Sequence, residues 1–95
     1  MNIKIMKLIN GDDIISDIDE SKGLILKNPA RLMMYPTEQG MSMALVPWCP
    51  YTEQEHFELN PTSVMLTITP PEELRNEYNN QFGSKLVTPP TNLIV

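Results

Sequence analysis

The chain reads as a mainly β domain: a strongly bent five-stranded antiparallel sheet, or small open barrel, with one C-terminal α-helix. Three observations predict it. Five β-prone runs, at 3–9, 13–19, 24–35, 41–48 and 57–69, are separated by turn residues and cover 47 of the 95 residues. The third run is long for one strand and carries Pro29 near its middle. A proline lacks the donor a ladder needs, so it belongs at an edge, a bend or a bulge, and a bend there suits a small barrel. After the last run, Leu74, Tyr78 and Phe82 recur at helical spacing. Residues 1–83 are therefore read as one domain of sheet and helix, followed by an extended Pro-containing tail at 84–95.

The elements follow in order. Ile3, Ile5 and Lys4 alternate, then the apolar phase slips at Met6, which points to a bulge or a strand buried on both faces. Asn10-Gly11 tolerates positive φ and signals a hairpin. In the second run Ile14, Ser16 and Ile18 share one face, and Ile15, Asp17 and Asp19 the other. Ser21-Lys22-Gly23 turns the chain again. In the third run Leu24, Leu26, Ala30, Leu32 and Met34 are expected on one face, opposite Lys27, Pro29 and Arg31. Pro36 to Gly40 is a turn, after which Met41, Met43 and Leu45 alternate with Ser42, Ala44 and Val46. Asn60-Pro61-Thr62 breaks the alternation of the fifth run. Thr69 is expected to cap the helix, with Pro70 at its first position and Glu72 completing a capping box, and Gly83 to stop it. In the tail, Pro89-Pro90 favours an extended chain, and Leu93-Ile94-Val95 is read either as docking on a neighbour or as a disordered end.

Composition limits the function. One Cys and one His, Cys49 and His56, leave no internal disulfide framework. Met1 to Lys4 leads straight into a strand pattern without the apolar stretch of a signal peptide, and no segment has the roughly 20 apolar residues of a membrane span. A soluble intracellular protein is expected. Residues 1–31 balance five basic against five acidic groups, whereas 32–95 hold only Arg75 and Lys85 against seven acids, so the net charge of −5 lies there. Non-specific duplex binding draws its affinity from clustered Lys and Arg and is not expected of this chain.

No cluster carries catalytic or metal chemistry. Asp12, Asp13, Asp17, Asp19 and Glu20 lack the ligand spacing of a calcium loop. Cys49 and His56 have no third group that would orient a nucleophilic pair. Neither an enzyme nor a cofactor is expected. The methionines at 33, 34, 41, 43 and 65 fall in strand alternation and are expected to fill the core. Lys22, Lys27, Asn28 and Arg31 could hold phosphate or a base edge, with Tyr35 for stacking; the plainer reading is surface charge offsetting the acids of the first hairpin.

Several motifs resemble a family of small phage proteins common in marine metagenomes. They are Lys7-Leu8-Ile9-Asn10-Gly11-Asp12, Lys27-Asn28-Pro29-Ala30-Arg31, Leu45-Val46-Pro47-Trp48, Thr69-Pro70-Pro71-Glu72-Glu73-Leu74, and Tyr78 with Gln81-Phe82-Gly83. That family resembles a divergent Sm-like (LSm-type) group of cyanophage origin. The resemblance implies a bent sheet that assembles by edge-strand pairing into a homo-oligomeric ring of about five to seven subunits. Leu59 to Leu66 resembles the second Sm motif, with Asn60-Pro61 where an Arg/Lys-Gly pair usually contacts RNA. Asp19-Glu20-Ser21-Lys22-Gly23 stands at the usual base-binding loop without the stacking residue, and the helix follows the sheet instead of preceding it. What the resemblance implies for function is single-stranded RNA or DNA binding at pore-side loops around Lys22 and residues 60–62; with the basic and polar groups noted above, the expected contact residues are Lys22, Lys27, Asn28, Arg31, Asn60 and Thr62. The alternative is an acidic ring or adaptor that binds other phage or host proteins. Either would work in the cytoplasm of the infected bacterial host.

Overall fold

The computed structural model describes residues 1–83; the tail expected at 84–95 lies outside the described residues. Six antiparallel strands are β1 (Ile3–Leu8), β2 (Asp13–Asp19), β3 (Ile25–Thr37), β4 (Gly40–Pro47), β5 (His56–Glu58) and β6 (Val64–Ile68). They form one open sheet in the order β4-β3-β2-β1-β6. β2 runs along one edge of β3; β5 pairs with Ile25–Lys27 on the other edge, and β4 with Ala30–Thr37 beyond it. A short helix, α1 (Glu72–Tyr78), follows the last strand and continues as a π turn over Asn79–Gly83.

The phase slip at Met6 has a simple outcome: β1 is buried on both faces. Ile3 and Ile5 join Ile15, Ala30, Leu45 and Tyr78 in a cluster under α1. Met6 and Leu8 join Ile14, Ile18 and Leu26 in a second cluster, against which Leu24, Trp48, Leu59 and Val64 pack. Contributions from both ends of the sheet path meet there, so the sheet curls around this inner cluster. A bulge does occur in β1, between Lys7 and Leu8 against β6. β2 obeys the same division, with Ile14 and Ile18 inward and Ile15 toward the helix.

β3 does not keep one face. Leu26 belongs to the inner cluster and Ala30 to the helix-side cluster, although their spacing predicted a shared side. The cause is a kink at Asn28, whose φ of 51° is the one positive value outside glycine among the described residues. Opposite the kink, the β2 register shifts between Ile15 and Asp17. Ser16 is fully buried there and its hydroxyl donates to Lys27 O at 2.9 Å. The Tyr78 hydroxyl lies 2.9 Å from Lys27 O and Asn28 O and accepts from Asp17 N at 3.2 Å. One helix side chain thus joins the bulge of β2 to the kink of β3.

Other expectations are corrected. The fifth run is two strands, because Pro61–Ser63 forms a 3₁₀ turn capped by the Asn60 side chain. Pro61 has no donor for a continuous ladder. The helix starts later than expected, at Glu72, with Pro71 at its N-cap and no side-chain cap bond. Thr69 instead accepts from Lys4 Nζ at 3.0 Å. At the first hairpin only Gly11 takes positive φ, at 96°, and its N–H donates to Leu8 O at 2.9 Å. Asn10 stays at negative φ and uses its side chain to accept from Asp12 N. The methionines at 33, 34, 41, 43 and 65 are exposed, not core.

Candidate functional site

The six expected contact residues do not form one patch. Lys22 is exposed in the β2–β3 turn, two residues from Leu24, whose carbonyl accepts from Leu59 N at 2.9 Å. That bond holds the β2–β3 turn beside the chain entering Asn60 and Thr62. Asn60 Oδ1 accepts from both Thr62 N and Thr62 Oγ1, so these two side chains serve their own turn. Lys27 and Asn28 sit at the kink of β3, where Asn28 N donates to Glu55 O at 2.8 Å. Arg31 lies further along the strand, 3.8 Å from Asp12.

Electrostatics around these groups are self-balanced. Lys27 Nζ is 4.0 Å from Asp19. Hydrogen bonds from the Ser21 backbone and hydroxyl, with Lys27 and Lys22 nearby, hold the Asp19 carboxyl below its ordinary value. Asp12 also accepts from Trp48 Nε1 at 3.2 Å and from Asn10 Nδ2. Arg31 is therefore one member of a network that closes the inner cluster at Trp48. A phosphate approaching Lys27 or Arg31 would compete with a carboxylate already in place. Tyr35 is exposed on the far half of β3, on the arm that pairs with β4.

What the structure does assemble is apolar. Among the described residues β4 and β6 are the two ends of the sheet path, each bonded to one neighbouring strand. Along the β3–β4 arm, Met33, Met34, Tyr35, Met41 and Met43 are exposed; on β6, Met65, Leu66 and Ile68 are. Register places Met34 and Met43 on the face that carries Leu32, Leu45 and α1, and Leu66 and Ile68 on the same face as Ile5. Exposed apolar side chains this concentrated mark interaction surface more than scattered surface methionines do.

Beside β4 the same face holds a groove of about 560 Å³ between strand and helix. Met43, Leu45, Pro71 and Leu74 line it together with Glu73 and Glu77. The two glutamates are i and i+4 on α1 and therefore share one side of the helix. Sequence reading missed this site because the methionines were assigned to the core and the helix was read only by its apolar stripe. The signal that would have found it is the parallel stripe Glu73, Glu77, Gln81, in which Gln81 donates to Glu77 at 2.7 Å. Among the described residues no group of three or more His, Cys, Asp and Glu is placed to hold a metal ion, and no helix is long and apolar enough to cross a membrane.

The model of a family of unknown function, DUF6561, matches residues 1–83. No curated protein matches the chain.

Proposed function

The chain belongs to the DUF6561 family, and we propose that it is a ring-forming, non-catalytic subunit of Sm-like type and phage origin that acts as an acidic adaptor for proteins in the host cytoplasm. The observation that carries this reading is that β4 and β6 end the sheet path among the described residues, both with exposed large apolar side chains. An unpaired edge is a template for another strand. Two different edges that fit one another make a head-to-tail contact, and such contacts close into rings when the rotation allows. The 3₁₀ step between β5 and β6 also accords with the apolar–turn–apolar resemblance at 59–66.

The choice of protein over nucleic acid rests on charge. Lys27 and Arg31 lie beside carboxylates, and α1 carries Glu72, Glu73 and Glu77 against Arg75. Single-stranded RNA or DNA is the second reading, favoured by Lys22, which is exposed and outside the ion pairs found among the described residues. A ring would multiply such weak contacts through effective concentration.

Light scattering on Leu66→Lys and Met41→Lys variants tests the assembly. Each alone should be monomeric, and mixing them should give a one-to-one pair, because each retains one intact edge. A wild-type monomer at high concentration would sink the ring. Titration with fluorescent single-stranded oligonucleotides at low salt should give no saturable binding; saturation abolished by Lys22→Ala would reverse the choice of ligand.

A further inference from the structure

The groove between β4 and α1 has a floor and a rim of different chemistry. Met43, Leu45, Pro71 and Leu74 present apolar surface, and Glu73 and Glu77 stand exposed beside it. Neither glutamate is in an ion pair among the described residues. Arg75 lies two positions from each, and side chains so spaced do not face one another on a helix. We propose that this groove docks a partner segment bearing apolar anchors flanked by Lys or Arg. The inference deepens the adaptor reading on which it rests, by giving the adaptor a binding site and its partner a chemistry.

Three observations favour that occupant. A groove of about 560 Å³ falls within the range that takes a few side chains or a ligand of drug size, and a methionine in its floor adapts to varied apolar shapes. The two carboxylates select cations and repel phosphate. A second copy fits less well: its β6 offers Leu66 and Ile68 on the helix-side face, but the neighbouring Lys7 already holds Asp13 at 2.8 Å. The β4 lining, Met43 and Leu45, belongs to one face of the strand, whereas a pairing strand would bond the backbone edge of β4.

The test is an NMR titration of the full chain with a synthetic helical peptide of Leu, Lys and Ala, with Leu at i and i+4 and Lys beside them. A scrambled peptide and one with Glu in place of every Lys serve as comparisons. The designed peptide should shift resonances of Met43, Leu45 and α1, and bind more tightly than both comparisons. The double variant Glu73→Gln with Glu77→Gln should weaken it about fivefold, and Met43→Lys about tenfold. Equal binding of the scrambled peptide, shifts centred on the acidic loop 52–55, or no loss in the Gln variant would overturn the inference. Groove shifts produced by raising protein concentration alone would also overturn it, in favour of a second copy. Light scattering on the same samples separates the two claims. A silent groove in a chain that still self-associates removes the docking site alone, and groove-confined binding by a monomer removes the ring alone.

Discussion

Ile14 and Ile15 are adjacent, identical and both fully buried, yet they belong to different cores. Ile14 points into the cluster around which the strands curl, where hydrogen-bonded β1, β2 and β3 supply most of the wall. Ile15 points into the cluster covered by a single short helix, α1. The inner core is closed by the sheet itself. The helix-side core is closed by a lid whose firmest tie is the buried Tyr78, stacked on Phe82 at 5.3 Å between ring centres. The lesson is that a strand buried on both faces needs two coverings, and here they differ in kind. A curled sheet resists local relaxation, whereas a seven-residue helix can shift as a unit.

That difference can be broken experimentally. The largest effect is expected from Ile14→Ala, at about 3–4 kcal/mol, with Ile15→Ala nearer 2–3 kcal/mol because the helix can settle into part of the space. Urea unfolding should rank them in that order, and only Ile14→Ala should change the emission of Trp48 before the transition. Equal costs would show the two cores to be equally rigid.

Tyr78→Phe comes next, at about 2 kcal/mol, since it leaves Asp17 N without its acceptor, removes the hydroxyl from Asn28 O and leaves Lys27 O to the Ser16 hydroxyl. It also carries a pH signature. Burial pushes the Tyr78 phenol up to about 12, with smaller influences from Asp17 and Ser16. Between pH 10 and 12 the folded chain then holds a proton that the unfolded chain has lost, so stability falls as pH rises. The contribution is complete below about pH 10. Stability measured from pH 9 to 12 should decline less steeply in Tyr78→Phe than in the wild type. A decline unchanged by the substitution would place the titration elsewhere.

Asn28→Ala is the smallest, at about 1 kcal/mol, the cost of a Cβ in left-handed backbone without the local bonding an Asn can offer. It should leave circular dichroism unchanged. A loss much larger than this would mean that the kink also governs helix docking.

Much of the architecture was legible in the chain. The strand positions follow from alternation and turn residues, because each side-chain period is set locally by the backbone. The double burial of β1 was visible as the slip at Met6. The division of β3 between two cores was not, since spacing alone cannot reveal that Asn28 takes positive φ and inverts the phase of everything after it. The capping box at Thr69 was plausible locally and failed, with Lys4 holding the Thr69 hydroxyl instead. The expected contact residues were legible as residue types, but their pairing was not: Arg31 meets Asp12 only through the fold. The methionines misled for a related reason. Alternation says which residues share a face, and it does not say whether anything covers that face.

By itself, then, the sequence determined a small acidic β-rich chain, its turns, its single helix and the apolar face that helix presents. These depend on interactions between residues near one another in the chain. Only the tertiary structure decided that the sheet curls around one core and leaves another to α1. It also decided that β4 and β6 end the sheet path among the described residues and that Glu73 and Glu77 rim an apolar groove beside β4. Each of these depends on which distant strands pair and where β3 bends, and neither is encoded in any local period.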